Sequence, residues 1–213
     1  MASSKDGYTF RERGNMAGIK RVHITDVVNG RGAWRFRDSR RLWPAANQLY
    51  RDAFADIGMP LADGDEELEC SKDGYDAGYD SDLGIDVLLT FANGQTATMQ
   101  EKFLFTKYNT VTVEYYQNPA MDIEGDWFTM KCQYYFVGYD FPKTGQRFST
   151  WVLLDWPRLQ LATAQERVYW QITPNKHDGA RANFKHTPIH VLPADVVIAA
   201  SNGIAGPRQD RFC

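Results

Sequence analysis

Apolar side chains recur at helical spacing in one stretch of the N-terminal half of the chain. The positions are Leu42, Ala45, Ala46, Leu49, Tyr50, Ala53, Phe54 and Ile57. This spacing predicts an amphipathic helix that Asp38 and Ser39 cap at its start and that Gly58 and Pro60 end. Pro44 then falls within the first turns, where a proline is tolerated. A second helix is predicted from Arg158 to Tyr169, and a short helix from Pro193.

From Ile85 onwards the pattern changes to short runs of β-branched and aromatic residues. Two of these runs flank Asn93-Gly94, a dipeptide that strongly favours a tight hairpin turn. The predicted strands are Ile85 to Phe91, Thr96 to Phe105, Thr110 to Tyr116, Trp127 to Tyr139 and Phe148 to Asp155, and Ile189 to Leu192 is a further apolar run. Together with the helices, these strands predict an α/β fold built on a mixed central β-sheet flanked by helices.

The rest of the chain shows little periodicity and defines the predicted domain organisation. Residues 1–37 are polar and contain glycine, so we expect a basic N-terminal arm with one short strand near residues 20–28. Residues 61–83 are dense in acids and glycine and are expected to form a long loop. A length of 213 residues suits one domain. We therefore expect a single α/β domain over residues 38–213, ending in a C-terminal extension.

Composition places the chain among folded globular proteins. Hydrophobic residues make up 43% and aromatic residues 14% of the chain, which is enough apolar surface for a substantial core. No apolar run is long enough to cross a bilayer, and the N-terminus lacks the apolar core of a secretory signal. The three cysteines, Cys70, Cys132 and Cys213, fit neither paired disulfides nor a zinc site. We therefore expect free thiols, no membrane association and a cytoplasmic location.

Charge is distributed very unevenly along the chain. Residues 1–41 carry ten basic and four acidic side chains, a net charge of +6, whereas residues 52–86 carry twelve acids and one lysine, a net charge of −11. Arginines that contact phosphates beside carboxylates that hold a metal ion would give this pattern. A solvated acidic loop would give it too. The arginines expected to contact nucleic acid are Arg35, Arg37, Arg40 and Arg41.

The predicted hairpin brings a set of polar residues towards one of its ends. Asp86 opens the first strand, and Gln100 and Lys102, two residues apart, share one face of the second strand while Glu101 points to the other. A carboxylate and an amide oxygen are hard ligands that suit Mg²⁺, and a nearby lysine can orient or help to deprotonate a water molecule. This combination is suited to hydrolysis of a phosphodiester. Each residue also has a simpler structural role open to it: Asp86 as a strand cap, and Gln100 with Lys102 as an exposed stripe on an edge strand.

The arrangement resembles the PD-(D/E)xK nuclease superfamily, in which an acid opens one core strand and an acid-x-lysine motif lies on the next. Asp86 and Gln100-Glu101-Lys102 carry the resemblance, which extends over about residues 38–139. It implies a restriction-endonuclease-like core, Asp86, Gln100 and Lys102 as catalytic residues, and Mg²⁺ or Mn²⁺ held by Asp86 and Gln100. Gln100 stands where most active members have Asp or Glu. Asp82, Glu114 and Gln48 are additional candidates for this site.

Two hypotheses about function follow from the sequence. The first is a metal-dependent endonuclease that hydrolyses DNA and is encoded by a phage or mobile element, which would place it in the cytoplasm of the host cell. The second is a nuclease-fold module without catalysis that binds nucleic acid or a protein partner. Gln100 discriminates between them, because an amide binds a cation more weakly than a carboxylate does. Cleavage of both strands of a duplex would, by symmetry alone, suit a homodimer.

Overall fold

A computed structural model describes residues 17–24, 33–70, 84–175 and 181–201, with the backbone alone for residues 22–24, 33–37 and 67–70. Within these ranges the chain is a mixed α/β structure with two β-sheets, one of seven strands and one of four. Among the helices in the described ranges, none is both long and apolar enough to cross a bilayer. The two sheets, together with the helices, confirm the predicted α/β class.

The seven-stranded sheet forms the centre of the molecule. Its strands are β1 (Ile19–Ile24), β2 (Asp65–Cys70), β3 (Val87–Thr90), β4 (Thr96–Leu104), β7 (Tyr134–Tyr139), β8 (Thr150–Asp155) and β11 (Val197–Ala200). They lie in the order β11-β8-β7-β4-β3-β1-β2, so β4 is the middle strand. The pairs β1 with β2 and β4 with β7 are parallel, and the other neighbouring pairs are antiparallel.

Helix α1 (Ala33–Asp56) covers one face of this sheet. Its apolar side chains Ala46, Tyr50, Ala53 and Phe54 are buried against Met99, Phe136 and residues from the neighbouring strands. These positions repeat every three to four residues, as a helix that buries a single stripe requires. Gly58 ends the helix in a left-handed conformation with φ of 76°, and the N–H of Met59 donates to the carbonyl of Phe54.

The other face of the large sheet is covered by a helix and the small sheet. The helix is α3 (Trp156–Ala164), capped by Asp155, whose side chain accepts from the N–H of Arg158. The small sheet has the order β6-β5-β10-β9 and consists of β5 (Thr110–Asn118), β6 (Ile123–Glu124), β9 (Gln171–Pro174) and β10 (Asn183–Pro188). A short helix, α2 (Asp126–Thr129), lies beside β5. Val113, Tyr135 and Trp156 belong to the core between these layers.

The predicted central hairpin is confirmed. Strands β3 and β4 pair in antiparallel register from Val87 opposite Met99 to Thr90 opposite Thr96. Gly94 closes the turn with φ of 85° and donates its N–H to the carbonyl of Phe91. The side chain of Asn93 accepts from the N–H of Gln95. Both residues of the Asn-Gly signal therefore make the turn that they predict.

The short strand predicted near residues 20–28 is present as β1, but the loose arm and the acidic loop around it need correction where the structure describes them. β1 lies between β3 and β2 inside the large sheet, so this part of residues 1–37 belongs to the sheet. β2 lies within the expected loop of residues 61–83 and pairs in parallel with β1. Asp65 contacts Arg51 and Glu66 contacts Lys20. An acidic run can form a strand here because cations from other elements lie beside it.

The first helix starts earlier than its predicted caps. Asp38 lies inside α1 and forms ion pairs with Lys143 and Arg41, so it does not cap the helix. Pro44 is in the helix interior and not in the first turns. It has no N–H to donate, which leaves one helical carbonyl without its usual donor. The prediction of the helix start was wrong because the Asp38 side chain pairs with Lys143, in a loop distant in sequence, and does not cap the helix.

Several segments in the second half of the chain also differ from prediction. Residues 127–133 are not part of a strand: α2 occupies their first part, and the strand begins at Tyr134. The chain turns there because Met130 and Cys132 enter the core. α3 ends at Ala164, where Glu166 adopts a left-handed φ of 57°. In the tail, residues 189–191 and 194–196 form 3-10 turns, and β11 follows in place of a helix.

Candidate functional site

The hairpin register brings Asp86 and Gln100 opposite each other. Val87 pairs with Met99, and the N–H of Asp86 donates to the carbonyl of Met99 at 3.0 Å. One further step in this antiparallel register places Asp86 across from Gln100, and Lys102 lies two residues further on the same face of β4. The structure therefore brings Asp86, Gln100 and Lys102 together where β3 begins.

The carboxylate of Asp86 extends the hairpin past the end of its backbone ladder. Its Oδ2 accepts a hydrogen bond from the N–H of Glu101 at 2.8 Å. That N–H points to the side of β4 on which β3 lies, but β3 has no backbone partner for it. Asp86 thus supplies the acceptor that this N–H of β4 needs, because a buried N–H is costly without one. The same hydrogen bond holds the Asp86 carboxylate in a fixed orientation.

Gln100 presents an unusual acceptor at the same place. Its side-chain Oε1 is buried and has no hydrogen-bond partner within the described residues. A buried carbonyl oxygen without a donor is costly and is uncommon in folded proteins. Gly84 passes close by, with φ of 58°, and a Cβ atom there would lie 3.6 Å from this oxygen and 2.7 Å from Cγ of Met130. Met130 therefore leaves no room for a side chain at position 84, and the Gln100 amide oxygen lies at ordinary van der Waals distance from that point.

The ammonium group of Lys102 is influenced by the charges of three carboxylates, but it forms no ion pair with any residue in the described ranges. Burial lowers the pKa of its ammonium group, and the negative charges of Asp126, Glu114 and Asp86, in that order of size, oppose this effect. Its Nζ lies 5.1 Å from the ring centroid of Phe184 on β10. A lysine with a lowered pKa exchanges its proton more easily near neutral pH than a solvated lysine does.

Two of these carboxylates come from outside the large sheet. Glu114 lies on β5, and its pKa is raised by burial and by the charge of Asp126, while Lys102 acts in the opposite direction. Asp126 is the first residue of α2. Gly125 allows α2 to approach β5, because a Cβ atom there would lie 2.9 Å from the Glu114 carbonyl oxygen. We call Asp86, Gln100, Lys102, Glu114 and Asp126 the polar cluster.

The thiol of Cys132 borders the polar cluster without contributing a ready ligand. Burial raises its pKa to about 12, although a hydrogen bond from the N–H of Gln100 works in the opposite direction, and the charges of Asp86 and Asp126 add to the increase. A thiol with this pKa is protonated at neutral pH, and a protonated thiol is a poor metal ligand and nucleophile. Cys132 therefore belongs to the core that supports the cluster.

Glu101 points to the opposite face of the sheet, where it forms a buried ion pair with Arg21. The guanidinium donates from Nε to Oε2 at 3.1 Å and from Nη2 to Oε1 at 2.6 Å, and the Tyr50 hydroxyl donates to Oε1 at 2.7 Å. The side chains of both charged partners are almost completely buried. Glu101 thus connects β4 to β1 and α1, while its backbone N–H holds Asp86.

Other residues that the sequence suggested for the site lie elsewhere. Gln48 is exposed on α1 and donates to Asp52 at 2.8 Å. It therefore cannot reach the cluster on the far face of the sheet, and this candidate was wrong. Arg40 and Arg41 are exposed on the same helix and are also separated from the cluster by the sheet. Arg35 and Arg37 belong to the part of α1 whose side chains are outside the described structure, and Asp82 lies outside the described residues.

The oxygen ligands of the polar cluster can coordinate a hard cation weakly, but the protein alone does not fill the coordination shell of such an ion. Within residues 17–24, 33–70, 84–175 and 181–201, no three His, Cys, Asp or Glu side chains come together closely enough to hold a metal ion. The cluster does offer the Asp86 carboxylate and the Gln100 amide oxygen, for which the described part of the chain supplies no hydrogen-bond donor. Mg²⁺ commonly keeps several water molecules and takes only one or two protein carboxylates. The residues therefore fit such an ion.

Asp126 is the member of the cluster that sequence reasoning missed. It precedes Trp127 and Phe128, aromatic residues that favoured a strand in this segment. Its position depends on the docking of α2 on β5, a contact with no local signature except Gly125.

The comparisons with known proteins add no relative: no family model, curated protein or solved structure matches the chain.

Proposed function

We propose that the polar cluster is the active site of a metal-dependent nuclease that hydrolyses phosphodiester bonds of DNA. The observation that carries this proposal is the buried Oε1 of Gln100, which has no hydrogen-bond donor among the residues that the structure describes. This oxygen lies at the end of the hairpin that Asp86 opens. A cation would satisfy this oxygen, and it would be attracted by the carboxylate beside it. Lys102 on the same strand face supplies the third component of such a site.

The proposed fold relationship is a restriction-endonuclease-like core formed by α1 and the central strands of the large sheet. An antiparallel hairpin, β3 and β4, followed by a strand parallel to β4 supports it. One difference is the connection between β4 and β7, which consists of β5, β6 and the short α2. These elements contribute Glu114 and Asp126, so the connection adds two acids to the cluster.

Asp86 and Gln100 would hold the ion, Mg²⁺ or Mn²⁺, through one carboxylate and one amide oxygen. When bound, the ion supplies Lewis-acid stabilisation of the negative charge that develops on the phosphate. An amide oxygen is a weaker ligand than a carboxylate, so we expect modest affinity for the ion. The protein contributes the fixed position of Asp86, which the N–H of Glu101 holds.

Lys102 would orient the attacking water and take up its proton. Hydrolysis forms a bond between the water oxygen and phosphorus and breaks one phosphorus–oxygen bond, and the departing oxygen gains a proton. Burial lowers the pKa of Lys102, which increases the neutral fraction able to accept the proton of the water. Glu114 and Asp126 limit this effect, because their negative charges favour the protonated lysine.

A second candidate function is a nuclease-fold module that binds nucleic acid or a protein partner without cleaving. One observation favours it: the strand position where an acid would hold the cation more tightly carries the neutral amide of Gln100. In that case Gln100 and Lys102 would be remnants of a site. The two candidates differ in whether a divalent cation changes any property of the protein.

A plasmid-nicking assay with Mg²⁺ and with Mn²⁺ tests the proposal. Wild type should convert supercoiled plasmid to the nicked form, and Asp86→Ala should reduce the rate by about 100-fold or more, because the charged ligand is lost. Gln100→Glu should retain or increase the rate. Asp56→Ala, which removes an exposed carboxylate at the end of α1, is the matched control and should cleave like wild type. Equal cleavage by Asp86→Ala and wild type would refute the site, and no cleavage by any variant would favour the binding module.

A further inference from the structure

Two loops leave the large sheet at the same edge, where the parallel strands β4 and β7 end together. Residues 105–109 follow β4, and residues 140–149 follow β7. The carboxyl ends of neighbouring parallel strands point the same way, so these loops lie side by side. They also touch, because Nζ of Lys143 lies 4.8 Å from the ring centroid of Phe105. We call residues 105–109 and 140–149 the basic edge.

The basic edge carries exposed cations and no exposed acid. Its charged residues are Lys107, Asp140, Lys143 and Arg147. The three cations are exposed, whereas Asp140 is buried. Lys143 pairs with Asp38 of α1, but Lys107 and Arg147 form no ion pair within the described ranges. This surface is therefore positive on a chain whose net charge is −3, and it attracts anionic ligands.

The buried acid of the basic edge shapes the second loop. The carboxylate of Asp140 accepts from the N–H and the hydroxyl of Thr144 at 2.9 Å, and from the N–H of Gly145 at 2.5 Å. The loop closes where the N–H of Ser149 donates to the carbonyl of Tyr139 at 2.7 Å. These contacts hold the loop in one conformation before any ligand arrives, which lowers the entropy cost of binding.

Two aromatic side chains of the basic edge are open to solvent. Tyr108 is 66% exposed and Phe141 is 44% exposed. Among the residues that the structure describes, neither ring contacts another ring or a cation, so the faces of both remain available. Tyr108 directly follows Lys107 in the chain, and Phe141 lies two residues before Lys143. Open aromatic rings interspersed with cations are the combination that binds single-stranded nucleic acids.

This combination favours an unpaired strand over other anionic ligands. The cations match any polyanion, but the two open rings add affinity only for a ligand that offers planar faces of its own. The bases of a duplex are stacked on one another, whereas those of a single strand are free to stack on aromatic side chains. A single strand therefore uses both the cations and the rings.

We propose that the basic edge binds single-stranded nucleic acid, with bases stacked on Tyr108 and Phe141 and phosphates held by the three cations. The proposal goes beyond the nuclease function and does not depend on it, because this binding requires neither Asp86 nor a metal ion. The two surfaces are near each other, since β4 ends two residues after Lys102, about 7 Å along the strand. Failure of the cleavage assay would leave this proposal standing.

Fluorescence anisotropy of a labelled oligothymidylate of about 12 nucleotides tests the proposal on the full chain. EDTA in the buffer excludes cleavage. Tyr108→Ala and Phe141→Ala should each weaken binding by about 5-fold or more, because each removes a stacking surface. Tyr169→Ala is the matched control, since Tyr169 is 76% exposed and lies outside the basic edge. Circular dichroism of each variant establishes that it is folded.

A second comparison separates the contribution of the bases from that of the phosphates. An abasic oligomer of the same length and charge should bind wild type more weakly than oligothymidylate does, and Tyr108→Ala should then change the affinity little. Lys107→Gln combined with Arg147→Gln should reduce the slope of log affinity against log salt by about 1.4, since each phosphate contact of a single strand contributes about 0.7. Lys131→Gln combined with Arg181→Gln, at exposed positions elsewhere, is the control.

Oligouridylate in place of oligothymidylate shows whether the bound strand is RNA or DNA, and tight binding of either supports the proposal. Three outcomes would overturn it. They are wild-type affinity for oligothymidylate that is no greater than for the abasic oligomer, ring variants that bind like Tyr169→Ala, and tighter binding of a duplex of the same length. Equal binding of polyglutamate would also overturn it, because charge alone would then explain the affinity.

Discussion

The N–H of Glu101 donates a hydrogen bond to Oδ2 of Asp86, with 2.8 Å between the two atoms. The side chain of the same glutamate is bound on the opposite face of the sheet by Arg21 and Tyr50. Residue 101 therefore joins the two sides of the middle strand, and Asp86 is oriented by a backbone whose own position is fixed from behind. The polar cluster and the buried ion pair are two parts of one arrangement.

Breaking the buried ion pair should cost far more stability than breaking an exposed pair. Glu101→Gln leaves the guanidinium of Arg21 buried without its counter-charge, and we expect the free energy of unfolding to fall by about 3 kcal/mol or more. Asp195→Asn is the control, because the side chains of the Arg167–Asp195 pair are almost half exposed, and this change should lower the free energy of unfolding much less than Glu101→Gln does. Urea denaturation measures both. Equal losses in the two variants would show that the Arg21–Glu101 pair contributes no more than a surface contact.

Alanine substitutions at Gly84 and Gly94 form a matched pair, because Gly84 lies beside the polar cluster and Gly94 lies away from it. Both have positive φ, 58° and 85°, so alanine at either position costs about 1 kcal/mol of backbone strain. At Gly84 the new Cβ would also lie 2.7 Å from Cγ of Met130, whereas at Gly94 it would meet nothing within 4 Å. Gly84→Ala should therefore lower stability by about 1–3 kcal/mol more than Gly94→Ala. Thermal unfolding of both proteins tests this, and equal melting temperatures would contradict the close approach of Gly84.

Much of the fold can be predicted from local sequence, and the hairpin shows why. Asn93-Gly94 determines a turn by its own conformational preference, and the alternation around it then fixes which side chains share a face. That reasoning was enough to place Asp86, Gln100 and Lys102 on one face of the β3–β4 hairpin. The apolar stripe of α1 follows equally from spacing, because one buried face requires it.

The remaining elements depend on partners that are distant in sequence. The acids of β2 are compatible with a strand because Lys20 and Arg51 lie beside Glu66 and Asp65, and neither contact is visible in the acidic run itself. Asp126 joins the cluster because α2 docks on β5, beside Glu114. Asp126 is 24 residues away from Lys102 in the sequence, yet its charge raises the pKa of Lys102. Hydrophobic periodicity does not predict an interaction of this kind.

The carboxylate of Asp126 should raise two pKa values at once. Its negative charge favours both the protonated form of Lys102 and the protonated form of Glu114. Asp126→Asn should therefore lower the pKa of Lys102 further below its ordinary value and should bring the pKa of Glu114 back towards its ordinary value. Carbon-13 NMR titration of labelled lysine and glutamate side chains measures both shifts. Asp122→Asn is the control and should move neither, and an unchanged Lys102 in Asp126→Asn would remove Asp126 from the cluster.

The arginines of α1 should contribute to nucleic-acid affinity through phosphate contacts if DNA reaches that face. Changing Arg35, Arg37, Arg40 and Arg41 together to glutamine should reduce the slope of log affinity against log salt by about 3.6, since each of four phosphate contacts contributes about 0.9. The control is a second set of four exposed cations changed to glutamine: Lys131, Arg158, Arg167 and Arg181. An equal reduction of the slope in both sets would indicate non-specific attraction, and an unchanged slope would assign the helix arginines to folding or to a protein partner.

Binding of Mn²⁺ to the full chain, followed by electron paramagnetic resonance, tests the cation site most directly because it does not depend on finding the right substrate. Wild type should bind the ion, Asp86→Ala should lose that binding, and Gln100→Glu should bind about 10-fold or more tightly, because a carboxylate replaces the amide oxygen. Asp56→Ala should bind like wild type. Equal Mn²⁺ affinity in wild type, Asp86→Ala and Gln100→Glu, or no binding by any of them, would contradict the assignment of Asp86 and Gln100 as the ligands of a divalent cation.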